Sequence, residues 1–282
     1  MMESYLTKPR LPLHELRKKI KAFKKLNLRH ADIDAIKTAL APVLHHYVHP
    51  SPLVQAGERI FRAVLWSEKP THQRHLTYPP AHKVNYGRCN RPGEPVFYGS
   101  VGSSAAIQEL APLDGARLVL SMWRATKPIM FASLGYSERA FAKLASKRWS
   151  QVWWRQPSTE PEPPAANTRE NKLLDRFLAN EFTKRIPKGD EWRYRLSIAI
   201  AETYLKGRPA KDMSGVEIPG VISAGQSITG VEVGGLVYPS VATGANDDNV
   251  VLKCSIADTC LELAWRNISK SRGRPARLMS SV

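Results

Sequence analysis

Cysteine is scarce in this chain: only Cys89, Cys254 and Cys260 occur among 282 residues. Three thiols make no disulfide framework, and a reducing, cytoplasmic setting is the simpler reading. Cys254 and Cys260 are too widely spaced for a Cys-x-x-Cys site and have no matching second pair, so no metal is expected. Histidine is absent after His82. A Ser-His catalytic pair would therefore have to reach back to the early part of the chain, which weakens a hydrolase-triad reading. No apolar run approaches the roughly 20 residues that span a bilayer. No apolar core of a secretory signal follows the first charges, so no membrane partner is expected. Neither a Walker loop, a G-x-G-x-x-G nor a His-Glu-x-x-His occurs. Acidic residues are also few, 25 against 42 Lys and Arg, for a net charge of +17. That balance attracts anions, whether nucleic acid, acidic membrane, nucleotide or acidic protein, and does not choose among them.

What remains is ordinary for a globular protein, with 43% hydrophobic and 24% charged residues. The length suits one large domain or a domain with an appendage. Residues 1–57 read as two helices. Leu13, Leu16, Ile20 and Phe23 share one face, as do Ile33, Ile36, Leu40, Leu44 and Tyr47. Lysines and arginines fill the remainder of the first helix. This segment is either an arm that touches nucleic acid or membrane, or a hairpin packed on the main domain with a solvated basic face; the second is the simpler account. Its position directly before the first core strand also suggests that it covers and regulates a site. His45, His46 and His49 read as a surface cluster.

Strands are expected at 59–66 and 115–123, and a last core strand at 249–254. Arg62 inside the first of these, taken alone, reads as an edge residue in water. Helices are expected at 103–110, 137–146 with Ser137 as its start, 169–184 and 193–205. Trp149, Trp153 and Trp154 cluster with Arg148 and Arg155, as an aromatic packing patch or a base-stacking surface. Residues 156–168 are proline-rich and read as a linker. Glycine recurs through 215–235, suggesting turns between short strands. Together this gives an α+β domain over 58–266 with a helical N-terminal extension, an enlarged central helical insertion at about 124–215, and a basic tail at 267–282 expected to lack order.

Two blocks carry candidate chemistry: Gly87-Arg88-Cys89-Asn90-Arg91-Pro92-Gly93-Glu94-Pro95-Val96-Phe97-Tyr98-Gly99, and Gly235-Leu236-Val237-Tyr238-Pro239-Ser240. Between them lies Glu109, on a short helix. Breaking an N-glycosidic bond in a dinucleotide needs a carboxylate near the ribose, because the transition state is an oxocarbenium ion. The pyrophosphate needs arginines, a base needs an aromatic face, and ribose hydroxyls need short polar partners. Arg62, Arg88, Tyr98, Glu109, Tyr238 and Ser240 supply each type. Each also has a plainer account: Arg88 paired at a turn, Glu109 solvated, Ser240 a cap after Pro239, Tyr98 in the core.

In order, Gly-Arg-Cys-Asn-Arg-Pro-Gly-Glu-Pro-Val-Phe-Tyr-Gly-Ser, Ala-Ala-Ile-Gln-Glu and Val-Tyr-Pro-Ser resemble the RES domain, named for its Arg, Glu and Ser. The match spans about residues 58–254, with Cys89 where the family has an aromatic. The resemblance implies an ADP-ribosyltransferase-like fold and a toxin-like enzyme. It implies NAD as substrate, cleaved by phosphorolysis or hydrolysis with inorganic phosphate or water as acceptor, and often a paired antitoxin protein. Carried over, Glu109, Arg88 and Ser240 are catalytic. Arg62 and Arg88 hold phosphates, Tyr98 flanks the nicotinamide or its ribose, Ser240 positions that ribose, and Asn90 and Tyr238 join the NAD-binding set. Two other readings remain: ADP-ribosyl transfer to a macromolecule, and a non-catalytic nucleic-acid binder. No helix-turn-helix or zinc signature supports the last.

Overall fold

The structure is a computed structural model that describes residues 11–44, 47, 49, 51–66, 70–148, 168–206, 210–211, 217–218 and 233–270. Among them are seven α-helices and an eight-stranded sheet. In chain order these are α1 (Leu13–Lys24), α2 (Ile33–Leu44), β1 (Leu53–Val54), β2 (Arg59–Leu65), β3 (Phe97–Ser100), α3 (Ser103–Glu109), β4 (Arg117–Ala125), β5 (Ile129–Ser133), α4 (Glu138–Lys143), α5 (Arg169–Phe182), α6 (Arg195–Leu205), β6 (Ala210–Lys211), β7 (Glu217–Ile218), β8 (Val233–Pro239), β9 (Asp248–Leu252), α7 (Cys254–Cys260) and β10 (Leu261–Lys270). The large sheet runs β1-β5-β8-β9-β3-β2-β4-β10; β6 and β7 pair with each other. Within the large sheet β5 and β8 are parallel, and the other pairings are antiparallel.

Every residue of β5, β8 and β9 is buried, so both faces of the sheet are covered there. Side chains alternate between the two sides, as strand geometry requires. Leu236, Tyr238 and Val251 join the core under α1, α2, α5 and α6. Val237, Val250 and Leu252 join Phe97, Trp123, Phe131 and Phe141 on the opposite face. The apolar stripes of α1 and α2 fall as the periodicity predicts, burying Leu16, Ile20 and Phe23, then Ile33, Ile36, Leu40 and Leu44. They meet α5 and α6, with Phe23 stacked on Phe177 at 6.1 Å between ring centres. The hairpin and the main sheet thus share one core, and α1 keeps Arg17, Lys18, Lys21, Lys24 and Lys25 in solvent. Ser137 and Thr168 cap α4 and α5, each accepting a backbone N–H at 3.2 Å.

Several expectations need correction. Arg62 is not at a sheet edge: β2 lies between β3 and β4. Residues 124–215 supply β5 as well as helices, and β5 is an inner strand between β1 and β8. The core does not finish at residue 254 or 266. Helix α7 and strand β10 follow, and β10 pairs with β4 from Leu261↔Ala125 to Lys270↔Arg117. Its alternation is diluted because it is an outer strand, with Trp265 exposed. His49 is buried and edges onto the Tyr204 ring at 5.2 Å, so it does not belong to a surface cluster. His45, His46, the three tryptophans with Arg155, the linker at 156–167, the glycine repeats between 219 and 232, and the tail from 271 lie outside the described residues. No helix among the described residues is long and apolar enough to cross a membrane.

Candidate active site

The site forms where the sheet splits. β2 pairs with β4 along its whole length, and β3 pairs with β9 along its whole length. Between β2 and β3 the ladder has a single rung, Phe61↔Ser100. Gly99 permits that close approach: a Cβ there would lie 2.6 Å from Ile60 Cγ2. Beyond the rung the strands part, and a backbone carbonyl left without its ladder partner must find another donor. Arg62 supplies one, donating Nη1 to the Tyr98 carbonyl at 2.6 Å.

The split opens into a cleft of about 580 Å³, a volume typical of small-molecule sites. β2 contributes Arg62, β3 contributes Tyr98, and the intervening loop contributes Arg88 and Asn90. Glu109 from α3 and Tyr238 from β8 complete the sequence-identified wall. Ser240 is fully buried and lies behind Glu109. No residue of α1 or α2 lines the cleft.

Glu109 ends α3, is exposed, and is gripped through one oxygen. Its Oε1 accepts from Ser240 Oγ at 2.5 Å, Asn249 Nδ2 at 2.7 Å and the Ala242 N–H at 3.5 Å. Among the described residues nothing donates to Oε2. Ser240 is fixed in turn by the Thr243 N–H, which donates to its Oγ at 3.3 Å. Its hydroxyl is thus spent on the carboxylate, whereas the resemblance implies that Ser240 positions the nicotinamide ribose.

Arg62 is half-buried in the wall. Burial lowers its guanidinium pKa to about 10, against a small opposing effect of Tyr98. Its Nε is buried without a partner and it makes no ion pair among the described residues. It lies over the Phe97 ring at 5.5 Å. Arg88 is differently engaged. Its Nη1 and Nη2 donate to the Glu181 and Lys184 carbonyls at 3.0 and 2.7 Å, at the C-terminal end of α5. Unpaired carbonyls and a partial negative charge collect there, which suits a cation. Its guanidinium also lies over Tyr194 at 5.2 Å.

Asn90 and Tyr98 shape the loop more than they offer themselves to a ligand. Tyr98 donates its hydroxyl to Asn90 Oδ1 at 2.9 Å and accepts the Cys89 N–H at 2.9 Å. Asn90 Nδ2 donates to the Asn85 and Arg91 carbonyls, both at 2.9 Å. Gly87 is needed beside them, since a Cβ there would collide with Asn90 Oδ1. Burial raises the phenols of Tyr98 and Tyr238 well above their ordinary value and pushes the Cys89 thiol up to about 12. Cys89 is thus a small core residue rather than a nucleophile. Tyr238 leans on Phe182 at 5.5 Å.

Sequence reasoning missed Asn249, Ser100 and Tyr194. Asn249 carried one signal, a polar side chain next to Asp248 before the apolar run of β9. Tyr194 carried none, because only the fold brings it beneath Arg88. Among the described residues no group of three His, Cys, Asp or Glu is placed to hold a metal ion. Chemically the cleft offers a carboxylate anchored through one oxygen, a half-buried guanidinium with no counter-ion among the described residues, and tyrosine side chains in its wall. That set suits an anionic ligand with a planar ring, and a reaction that develops positive charge. Neither a family model, a curated protein nor a solved structure matches the chain.

Proposed function

We propose that the cleft binds NAD and cleaves the bond between nicotinamide and ribose, within an ADP-ribosyltransferase-like domain of the RES type. The observation that carries the reading is a pairing within one cleft. Glu109 is held by one oxygen with the other unclaimed among the described residues, and Arg62 is half-buried, its Nε shut off from solvent, with no acid beside it among those residues. A partly desolvated cation without a counter-ion is costly, and a ligand phosphate would offset that cost.

In this reading Arg62 binds the pyrophosphate and Arg88 adds positive potential from the end of α5. Tyr194, half-buried on the cleft wall, flanks the nicotinamide, with Tyr238 buried in the same wall. As the C1′–N bond breaks, its electron pair returns to the pyridinium nitrogen and neutralises it. Positive charge moves onto the ribose, where Glu109 Oε2 stabilises it. An oxygen of phosphate or water then bonds to C1′ and gives up its proton to solvent. A cytoplasmic setting and a partner protein acting as antitoxin belong to the same proposal.

The test is incubation of purified protein with NAD, with and without phosphate, and identification of products by mass. Nicotinamide is expected, with ADP-ribose or its 1″-phosphate, and Glu109→Gln is expected to lose about 100- to 1,000-fold in turnover while staying folded. No nicotinamide at any phosphate concentration overturns the reading. A labelled macromolecular product would instead identify an ADP-ribosyltransferase. Salt-dependent nucleic-acid binding without turnover, unaffected by Glu109→Gln, would identify a non-catalytic binder.

A further inference from the structure

We infer that Asn249 is a positioning residue for Glu109, and that Ser100 completes the device; this rests on the NAD-cleaving reading. Asn249 stands in register with Ser100 on one neighbouring strand and Tyr238 on the other, a row across the centre of the sheet. All three line the cleft, and Asn249 is 5% exposed. Its Nδ2 donates to Glu109 Oε1 at 2.7 Å, and its Oδ1 accepts from Ser100 Oγ at 3.0 Å.

The amide has only one workable orientation. Turned over, its Oδ1 would face a carboxylate oxygen with no proton between them. Ser100 is the group that occupies Oδ1 when the amide is the right way round. Every neighbour of Glu109 Oε1 is therefore a donor: the Ser240 hydroxyl, the Asn249 amide and the Ala242 N–H. Two of the three come from opposite ends of the Ser240-to-Asn249 segment, so Oε1 is held from two directions, and the in-plane lone-pair preference of both bonds sets the carboxyl plane. A carboxylate held by a single hydrogen bond swings about it; one held by two aims its second oxygen.

The test uses the full chain and nicotinamide release from NAD. Asn249→Ala is expected to lower kcat by about 10- to 100-fold, the worth of a hydrogen bond to a charged group, with KM changed by less than about twofold. Adding Ser100→Ala to Asn249→Ala is expected to cost nothing further, because Ser100 acts through Asn249. The near-isosteric Asn249→Asp preserves packing and sets a second carboxyl against Glu109. It is expected to be poorly active near pH ~8 and to regain turnover toward pH ~5, where the added carboxyl takes a proton and donates again. Wild-type kcat in Asn249→Ala, additive losses in the double variant, or a pH profile of Asn249→Asp parallel to wild type would each overturn the inference alone. An inert wild-type protein overturns the NAD reading and this inference together.

Discussion

Arg62 reaches across the parting of β2 and β3 to donate to the carbonyl of Tyr98 at 2.6 Å. The bond ties off the ladder at the mouth of the cleft, yet leaves the guanidinium desolvated and without an acid. Interior cations of this kind weaken a fold unless a ligand supplies the missing charge.

Replacing Arg62 with methionine is therefore expected to leave the protein as stable as wild type or more stable, by up to about 2 kcal/mol, after subtracting the lost carbonyl bond. The same substitution is expected to raise KM for NAD at least about 10-fold. Denaturant unfolding and turnover, measured on one preparation, check both. A variant destabilised by well over 2 kcal/mol would mean that Arg62 is already compensated in the free protein.

Tyr98→Phe removes one hydroxyl and strands two buried groups, the Cys89 N–H and Asn90 Oδ1. A loss of about 1–3 kcal/mol in unfolding free energy is expected, larger than an average surface change. Because Asn90 then loses its anchor, the Gly87–Asn90 bridge should loosen. Amide exchange in that loop is the direct readout; unchanged protection would count against the loop-bracing role.

Arg91 links the hairpin to the cleft loop from behind. It pairs with both oxygens of Asp34 in α2, at 2.6 and 2.7 Å, and with Glu202 in α6 at 2.5 Å. Burial pushes the Glu202 carboxyl up, but Arg91, Lys206 and Lys37 outweigh it and hold the group below its ordinary value of 4.5. Asp34 is lowered by its Arg91 hydrogen bond. Both carboxyls bind a proton less readily folded than unfolded. The stability they add is full above about pH 4.5 and is lost as pH falls through the lower folded values. Arg91→Leu is expected to flatten the acid limb of an unfolding-versus-pH series between about pH 5 and about pH 3. An acid limb identical to wild type would remove the network from the account. Arg195 makes a parallel tie, from the Arg29 and Ala31 carbonyls at 2.8 and 3.0 Å to the Tyr86 hydroxyl.

Much of this was readable in the chain. Leu16, Ile20 and Phe23 repeat at helical steps because burial of α1 is one-sided, and one-sided burial leaves a periodic trace. Arg88, Glu109 and Tyr238 were legible as residue types, and the fold brings them to one cleft. Position within the sheet was not legible. Arg62 looks like an edge residue because charge inside a strand has two explanations, and only the neighbouring strands decide between them. Residues 267–270 read as tail, because the diluted pattern of an outer strand does not mark where its pairing ends; β10 carries its pairing with β4 through Lys270. Ser240 stands out in the sequence after Tyr238-Pro239, but that its hydroxyl donates to the Glu109 carboxylate is set by an ångström-scale separation that no spacing encodes.

Glu109 and Ser240 stand 131 positions apart in the chain, and Asn249 arrives 140 positions after Glu109. A polypeptide emerging from the ribosome thus carries its acidic group long before the two side chains that aim it. Such distant partners join late in folding. On the proposed reading, cleavage of NAD would become possible only once synthesis has passed β9.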